Sequence, residues 1–137
     1  MKKILIEVCD FNTTFMIRLF FAMFLICSLS YSQTDCDIDL STEDIVEMSN
    51  KKINICGKVE EVTTVGVVMG EPTFLNLNGL YPNQKITLII WQSNLFKFKQ
   101  GVDYFLQKKV RVTGKVESYR GKLQIIINEP SEIIVLD

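Results

Sequence analysis

Residues 53–62 read INICGKVEEV and residues 110–119 read VRVTGKVESY. Both segments alternate apolar and polar residues and then write Gly-Lys-Val-Glu. In the first, Ile53, Ile55, Gly57 and Val59 share one side of an extended chain, with Asn54, Cys56, Lys58 and Glu60 on the other. The second sorts Val110, Val112, Gly114 and Val116 against Arg111, Thr113, Lys115 and Glu117. A period of two is the mark of a half-buried strand. Glycine inside a strand marks a bulge or a sharp bend. Small closed barrels need such bends, because each strand must curl around a narrow interior. The repeat therefore predicts two strands with one mechanical task, far apart in the chain.

Working outward, Thr73-Phe74-Leu75-Asn76-Leu77 and the β-branched run Ile86-Thr87-Leu88-Ile89-Ile90-Trp91 predict two strands between the copies. Asn78-Gly79 and Tyr81-Pro82-Asn83 punctuate their connection. Residues 93–108 break the pattern, and Leu95, Phe96, Phe98, Tyr104, Phe105 and Leu106 predict a short helix or two turns anchored on apolar side chains. Arg120-Gly121 predicts a tight turn into a fifth strand at Leu123–Ile127, stopped by Pro130, with Ile133-Ile134-Val135 extending it past a bulge. Upstream, Ser41-Thr42-Glu43-Asp44 reads as hydroxyl caps and first-turn carboxylates of a short helix ending near Asn50. The connection Thr64–Glu71 is unusually apolar. It reads either as an exposed patch for a protein or lipid partner, or as the first strand running on to pair with the second.

The order β-β-β-α-β-β, with glycine-bent strands first and fourth, resembles the OB-fold, a five-stranded Greek-key barrel with a helix between strands three and four. The likeness covers about residues 51–136. It is carried by INICGKVEEV, by PTFLNLNGLYPNQKITLIIW and by KKVRVTGKVESYRGKLQIIINEPSEI. These segments are similar to small exported bacterial OB domains of the nucleic-acid-binding, tRNA-anticodon-domain-like type. The resemblance implies a binding module that uses the face of strands two and three and the 1–2 and 4–5 loops. Fold alone does not choose among nucleic acids, sugars, proteins and small molecules. OB nucleases of the staphylococcal type need paired arginines and calcium-ligating acids. After residue 32 only Arg111 and Arg120 remain, and Glu60, Glu61, Glu71 and Glu117 do not match that motif, so no catalytic residue is carried over.

Residues 1–32 predict a leader rather than fold. Arg18 precedes the apolar run Leu19–Cys27, and Ser30 and Ser32 supply the small residues three and one positions before a cut ahead of Gln33. That run is too short for a stable bilayer span. Glu7 and Asp10 interrupt the opening stretch, so translation is expected to begin at Met16. The expected organisation is a signal peptide at 1–32, an acidic segment with a short helix at 33–50, and an OB domain at 51–137. The product is exported, periplasmic or secreted. Cleavage leaves a net charge of −2, unlike an avid nucleic-acid binder. The charge is uneven: six acids crowd residues 35–47, while 12 basic and 8 acidic residues follow from Met48, a +4 domain that attracts polyanions with strong salt dependence. An oxidising compartment permits a Cys36–Cys56 disulfide, though either cysteine could equally be a small buried apolar residue.

No histidine is present, which removes the usual neutral-pH base and His-containing zinc sets. No phosphate-cradling glycine motif occurs. Glu60 and Glu61 are adjacent on a strand and are expected on opposite faces. The reading is a binding module without catalytic residue, metal or cofactor. Single strands are held by aromatic platforms beside basic groups. The candidate ligand-binding residues are Phe74, Asn76, Thr87, Trp91, Tyr119, Arg120, Lys122 and Lys58. Each aromatic has a structural alternative: Phe74 in the core, Trp91 closing the barrel end, Tyr119 bracing a turn. The expected partner is single-stranded nucleic acid or another polyanion. The alternative is a protein or small ligand of the cell envelope.

Overall fold

The computed structural model describes residues 36–43, 45, 50–66 and 69–136. The leader expected at 1–32, most of the helix expected at 41–50, and Val67 and Val68 lie outside the described residues. The strands are β1 (Ile38–Asp39), β2 (Lys52–Thr64), β3 (Thr73–Leu77), β4 (Ile86–Ile90), β5 (Lys109–Tyr119), β6 (Lys122–Ile126) and β7 (Ile133–Val135). One α-helical turn, α1 (Gln92–Leu95), and a 3-10 turn (Val102–Phe105) fill the gap between β4 and β5.

The two quoted segments are β2 and β5, and they pair with each other. Their first halves run antiparallel, Ile53 opposite Gly114 and Gly57 opposite Val110. Just past its glycine each strand changes partner: β2 continues against β3, and β5 against β6. With β3 on β4 and β4 parallel to β6, the circuit β2-β3-β4-β6-β5-β2 closes. This is a five-stranded OB-type barrel. The inward row (Ile55, Val59, Leu75, Leu77, Ile86, Leu88, Ile90, Val110, Val112, Val116, Ile125) is fully buried and forms one core.

The glycines act by leaving space. Neither has a left-handed backbone. A Cβ on Gly57 would sit 2.7 Å from the Asn78 Oδ1 and 2.9 Å from a Leu40 methyl. One on Gly114 would overlap the Ile125 Cγ2 methyl. The bulge itself falls later in β2, between Val59 and Glu61. It corrects the expectation for Glu60 and Glu61. With inward Val59 before them and half-buried Val62 after them, both carboxylates lie outside, one extra residue having reset the alternation.

One further expectation changes. Ile133–Val135 does not extend the fifth strand; after a 3-10 turn at Pro130–Glu132 it pairs with β5. The turn after β1 is held by Asp39: its Oδ1 accepts from the Ser41 N–H and Oγ–H, and its carbonyl from the Thr42 and Glu43 N–H. The segment before residue 51 is also part of the barrel's packing. β1 lies parallel to β2, Leu40 N–H donates to Cys56 O, and Ile38 and Leu40 enter the core. Burying each contributes roughly 1.5–3 kcal/mol. Cys36 and Cys56 are bonded, Cα–Cα 5.7 Å, across a separation of 20 residues. In the chain-entropy account such a loop contributes about 3 kcal/mol.

Replacing Gly114 by Ala should destabilise the fold by about 1–3 kcal/mol, because the added methyl has no room without moving Ile125. Urea denaturation reads this directly. The Lys109 ammonium, 2.7 Å away, and then Ser41 hold the Asp39 carboxyl down from 3.8 to about 2. A depressed native pKa gives stability that is present above the unfolded value and lost as pH falls through the folded one. The urea midpoint should therefore fall between pH 3.8 and about 2, and Asp39→Asn should flatten that fall.

Candidate functional site

The strand parity that sends Leu75, Leu88 and Ile125 inward sends Phe74, Asn76, Thr87, Ile89, Gln124 and Ile126 outward. Register then lines them up in two rungs across β2-β3-β4-β6-β5. One rung is apolar: Thr63, Phe74, Ile89, Ile126. The next is polar: Glu61, Asn76, Thr87, Gln124, Glu117. Ile89 is only 7% exposed although it lies on the outer face, and Phe74 is half-buried. Phe74 is thus not one of the inward core residues.

The polar rung is hydrogen-bonded from Glu61 through Asn76 to Thr87. Asn76 Nδ2 donates to Glu61 Oε2 at 2.7 Å, and Thr87 Oγ1 donates to Asn76 Oδ1 at 2.9 Å. Gln84 Nε2 donates to Thr87 Oγ1 at 3.0 Å. The Tyr81 backbone N–H also reaches Glu61 Oε2, at 3.0 Å. That N–H first, and the Asn76 amide second, hold the Glu61 carboxyl below the ordinary glutamate range. Glu61 is therefore anionic at neutral pH. Gln84 Oε1 is buried and has no hydrogen-bond partner among the described residues.

Beyond the polar rung lies the β5–β6 hairpin. Arg120 and Gly121 have φ of 50° and 76°, the two-residue turn whose twist suits adjoining strands. The turn presents Tyr119, 57% exposed, with the Arg120 guanidinium 5.3 Å from its ring centroid. Lys122 Nζ donates to Pro82 O at 2.7 Å and ties the hairpin to the β3–β4 loop, where Tyr81 is 73% exposed. At the other end, Trp91 follows β4 and precedes α1. The β2–β3 loop packs on it: a Cβ at Gly70 would stand 3.0 Å from the indole Cε3, and Gln92 N–H donates to Gly70 O. Gly70, Trp91, Gln92 and Ser93 line a cleft of about 520 Å³.

Of the residues singled out by sequence, Phe74, Asn76, Thr87 and Trp91 share one face, and Tyr119, Arg120 and Lys122 share its far end. Asn76 and Thr87, level with Gln124, stand two residues of β6 from Lys122, roughly 7 Å at about 3.3 Å per residue, whereas Phe74, level with Ile126, stands four residues away, roughly 13 Å. Lys58 joins neither group; it pairs with Glu60 at 3.2 Å, in the half of β2 that faces Lys109. Sequence reasoning passed over Tyr81, Gln84, Gln124 and Glu61. Tyr81 and Gln84 read as turn residues, and the bulge that turns Glu61 outward has no signature in Val-Glu-Glu-Val. Among the described residues, no three His, Cys, Asp or Glu gather as a metal site.

No family model matches the chain, and no curated protein does. Among solved structures the chain is similar to the OBody AM1L10 bound to hen egg-white lysozyme, at 17% identity and a TM-score of 0.47, over 66% of this chain and 83% of that one.

Asn76, 4% exposed, bridges Glu61 and Thr87. Asn76→Ala should cost about 1–3 kcal/mol in urea denaturation by removing the buried bridge between Glu61 and Thr87, whereas Phe74→Leu, which alters only the rung beside it, should cost less.

Proposed function

We propose that this protein is an exported OB-type binding module that holds single-stranded nucleic acid across the β3-β4-β6 face. The observation that carries the reading is the cluster at the hairpin end: exposed Tyr81 and Tyr119 beside Arg120 and Lys122. Tyrosine rings offer stacking surfaces to any base, and the two cations suit phosphate oxygens. The polar rung sets the orientation. Glu61 and Glu117 would repel a phosphate backbone laid along the sheet, so the backbone runs past Arg120 and Lys122 with its bases turned toward the rung. There the Glu61 carboxylate accepts hydrogen bonds from base amino groups. The leader expected at residues 1–32, together with the Cys36–Cys56 bond, supports export to an oxidising compartment. The module needs no catalytic group or cofactor for this role. A protein or small-ligand occupant is the second reading, favoured by Met69 (94% exposed) and Leu80 (60% exposed) on the loops that bound the face.

Titration with a single-stranded oligonucleotide at low salt should change the fluorescence of Trp91, the only tryptophan, and the change should fade as salt rises. Tyr119→Ala should weaken binding about 5- to 150-fold, the loss of one stacked base, with an unchanged melting temperature. A wild-type protein that ignores oligonucleotide at high micromolar concentration would sink the nucleic-acid reading in favour of the second one.

A further inference from the structure

The first halves of β2 and β5 carry a second set of cations, away from the rungs just described. Their register places Lys52 opposite Lys115, Cys56 opposite Arg111, and Lys58 opposite Lys109. All have the parity opposite to buried Ile55 and Val112, so the charged ones face outward. Like charges directly opposite each other destabilise an antiparallel pair. At one level the fold compensates them: Lys58 pairs with Glu60 at 3.2 Å and Lys109 with Asp39 at 2.7 Å. At the other level it does not. Lys52 and Lys115 are exposed, and no carboxylate among the described residues pairs with either or with Arg111. Between the two levels Thr113 Oγ1 donates to Asn54 Oδ1 at 2.7 Å, and Asp37 Oδ2 accepts from the Asn54 N–H, so the intervening polar groups are occupied.

The outer row of β5 continues from Arg111 through Lys115 and Glu117 to Tyr119. Arg111, Lys115 and Tyr119 stand four residues apart, roughly 13 Å per step. We propose that Lys52, Lys115 and Arg111 form a phosphate-binding track on the β2–β5 face. The uncompensated rung brackets one phosphate, Arg111 holds a second, and β5 leads onward to the hairpin. Glu117 interrupts the track, so the contacts are separate points rather than a continuous groove. No aromatic side chain occupies these positions, so the ligand is recognised as a phosphate chain by charge and not by its bases. The inference lengthens the path of the proposed nucleic-acid reading and can be tested apart from it.

The experiment compares wild type, Lys52→Gln/Lys115→Gln and Tyr119→Ala against two probes, inorganic polyphosphate and an oligonucleotide of about 12 nucleotides. The double variant should bind both probes more weakly. For the oligonucleotide, the loss of affinity between about 50 mM and about 200 mM salt should shrink roughly sevenfold, as expected for two lost single-strand phosphate contacts. Tyr119→Ala should weaken the oligonucleotide alone. Lys115→Glu, which gives Lys52 a partner, should raise the melting temperature and abolish polyphosphate binding. Polyphosphate binding that depends on Lys52 and Lys115 without oligonucleotide binding would leave the track standing and remove the base-stacking reading. Equal affinity and salt dependence in wild type and the double variant, or no polyphosphate binding by wild type, would overturn the track.

Discussion

The barrel closes because two strands change partners just past points where the interior has no room for a β-carbon. Gly57 faces Asn78 and the Leu40 methyl, and Gly114 faces the Ile125 methyl. Closely packed interiors tolerate little extra volume. Past those two residues β2 and β5 part company, one toward β3 and the other toward β6, and the circuit closes. The repeated Gly-Lys-Val-Glu is thus the same mechanical part used twice. Its lysines mark where each strand leaves its sister.

Closure also sets what the surface can do. A barrel this narrow spends one parity of every strand on the core, so any ligand face must come from the other. On β3, β4 and β6 that parity yields an apolar rung and a hydrogen-bonded polar rung. On the first halves of β2 and β5 it yields a ladder of cations. The two faces differ electrostatically although they belong to the same closed sheet. The bulge after Val59 sharpens the contrast by turning both Glu60 and Glu61 outward, one to neutralise Lys58 and the other to anchor Asn76 and Tyr81.

The N-terminal strap completes the cylinder. It places two aliphatic side chains in the core, spends acidic Asp39 on Lys109, and is bonded through Cys36 to the strand it lies beside. Lys85 Nζ donates to the Leu40 carbonyl at 2.8 Å, so the β3–β4 loop is held by the same segment. Of the acids that distinguish residues 35–47 in the sequence, Asp39 is matched to Lys109 of the barrel.

Period-two patterning, internal glycines, Asn-Gly and Arg-Gly turns and the break at 93–108 are local signals, and they carried the order of strands along the chain, on which the resemblance to the OB-fold then rested. Placing Phe74 and Asn76 on one side of a strand, and Thr87 and Trp91 on one side of the next, was equally local. What lay beyond reach depended on contacts between distant residues. The side on which Phe74 falls is set by the register of β3 between β2 and β4. The withdrawal of Lys58 depends on Glu60 across a bulge that composition does not announce. The meeting of Lys52 with Lys115 requires two strands 63 positions apart to align. Side-chain alternation is a property of one strand, legible from its residues. Register is a property of pairs, decided by which core side chains fit together once the chain has closed.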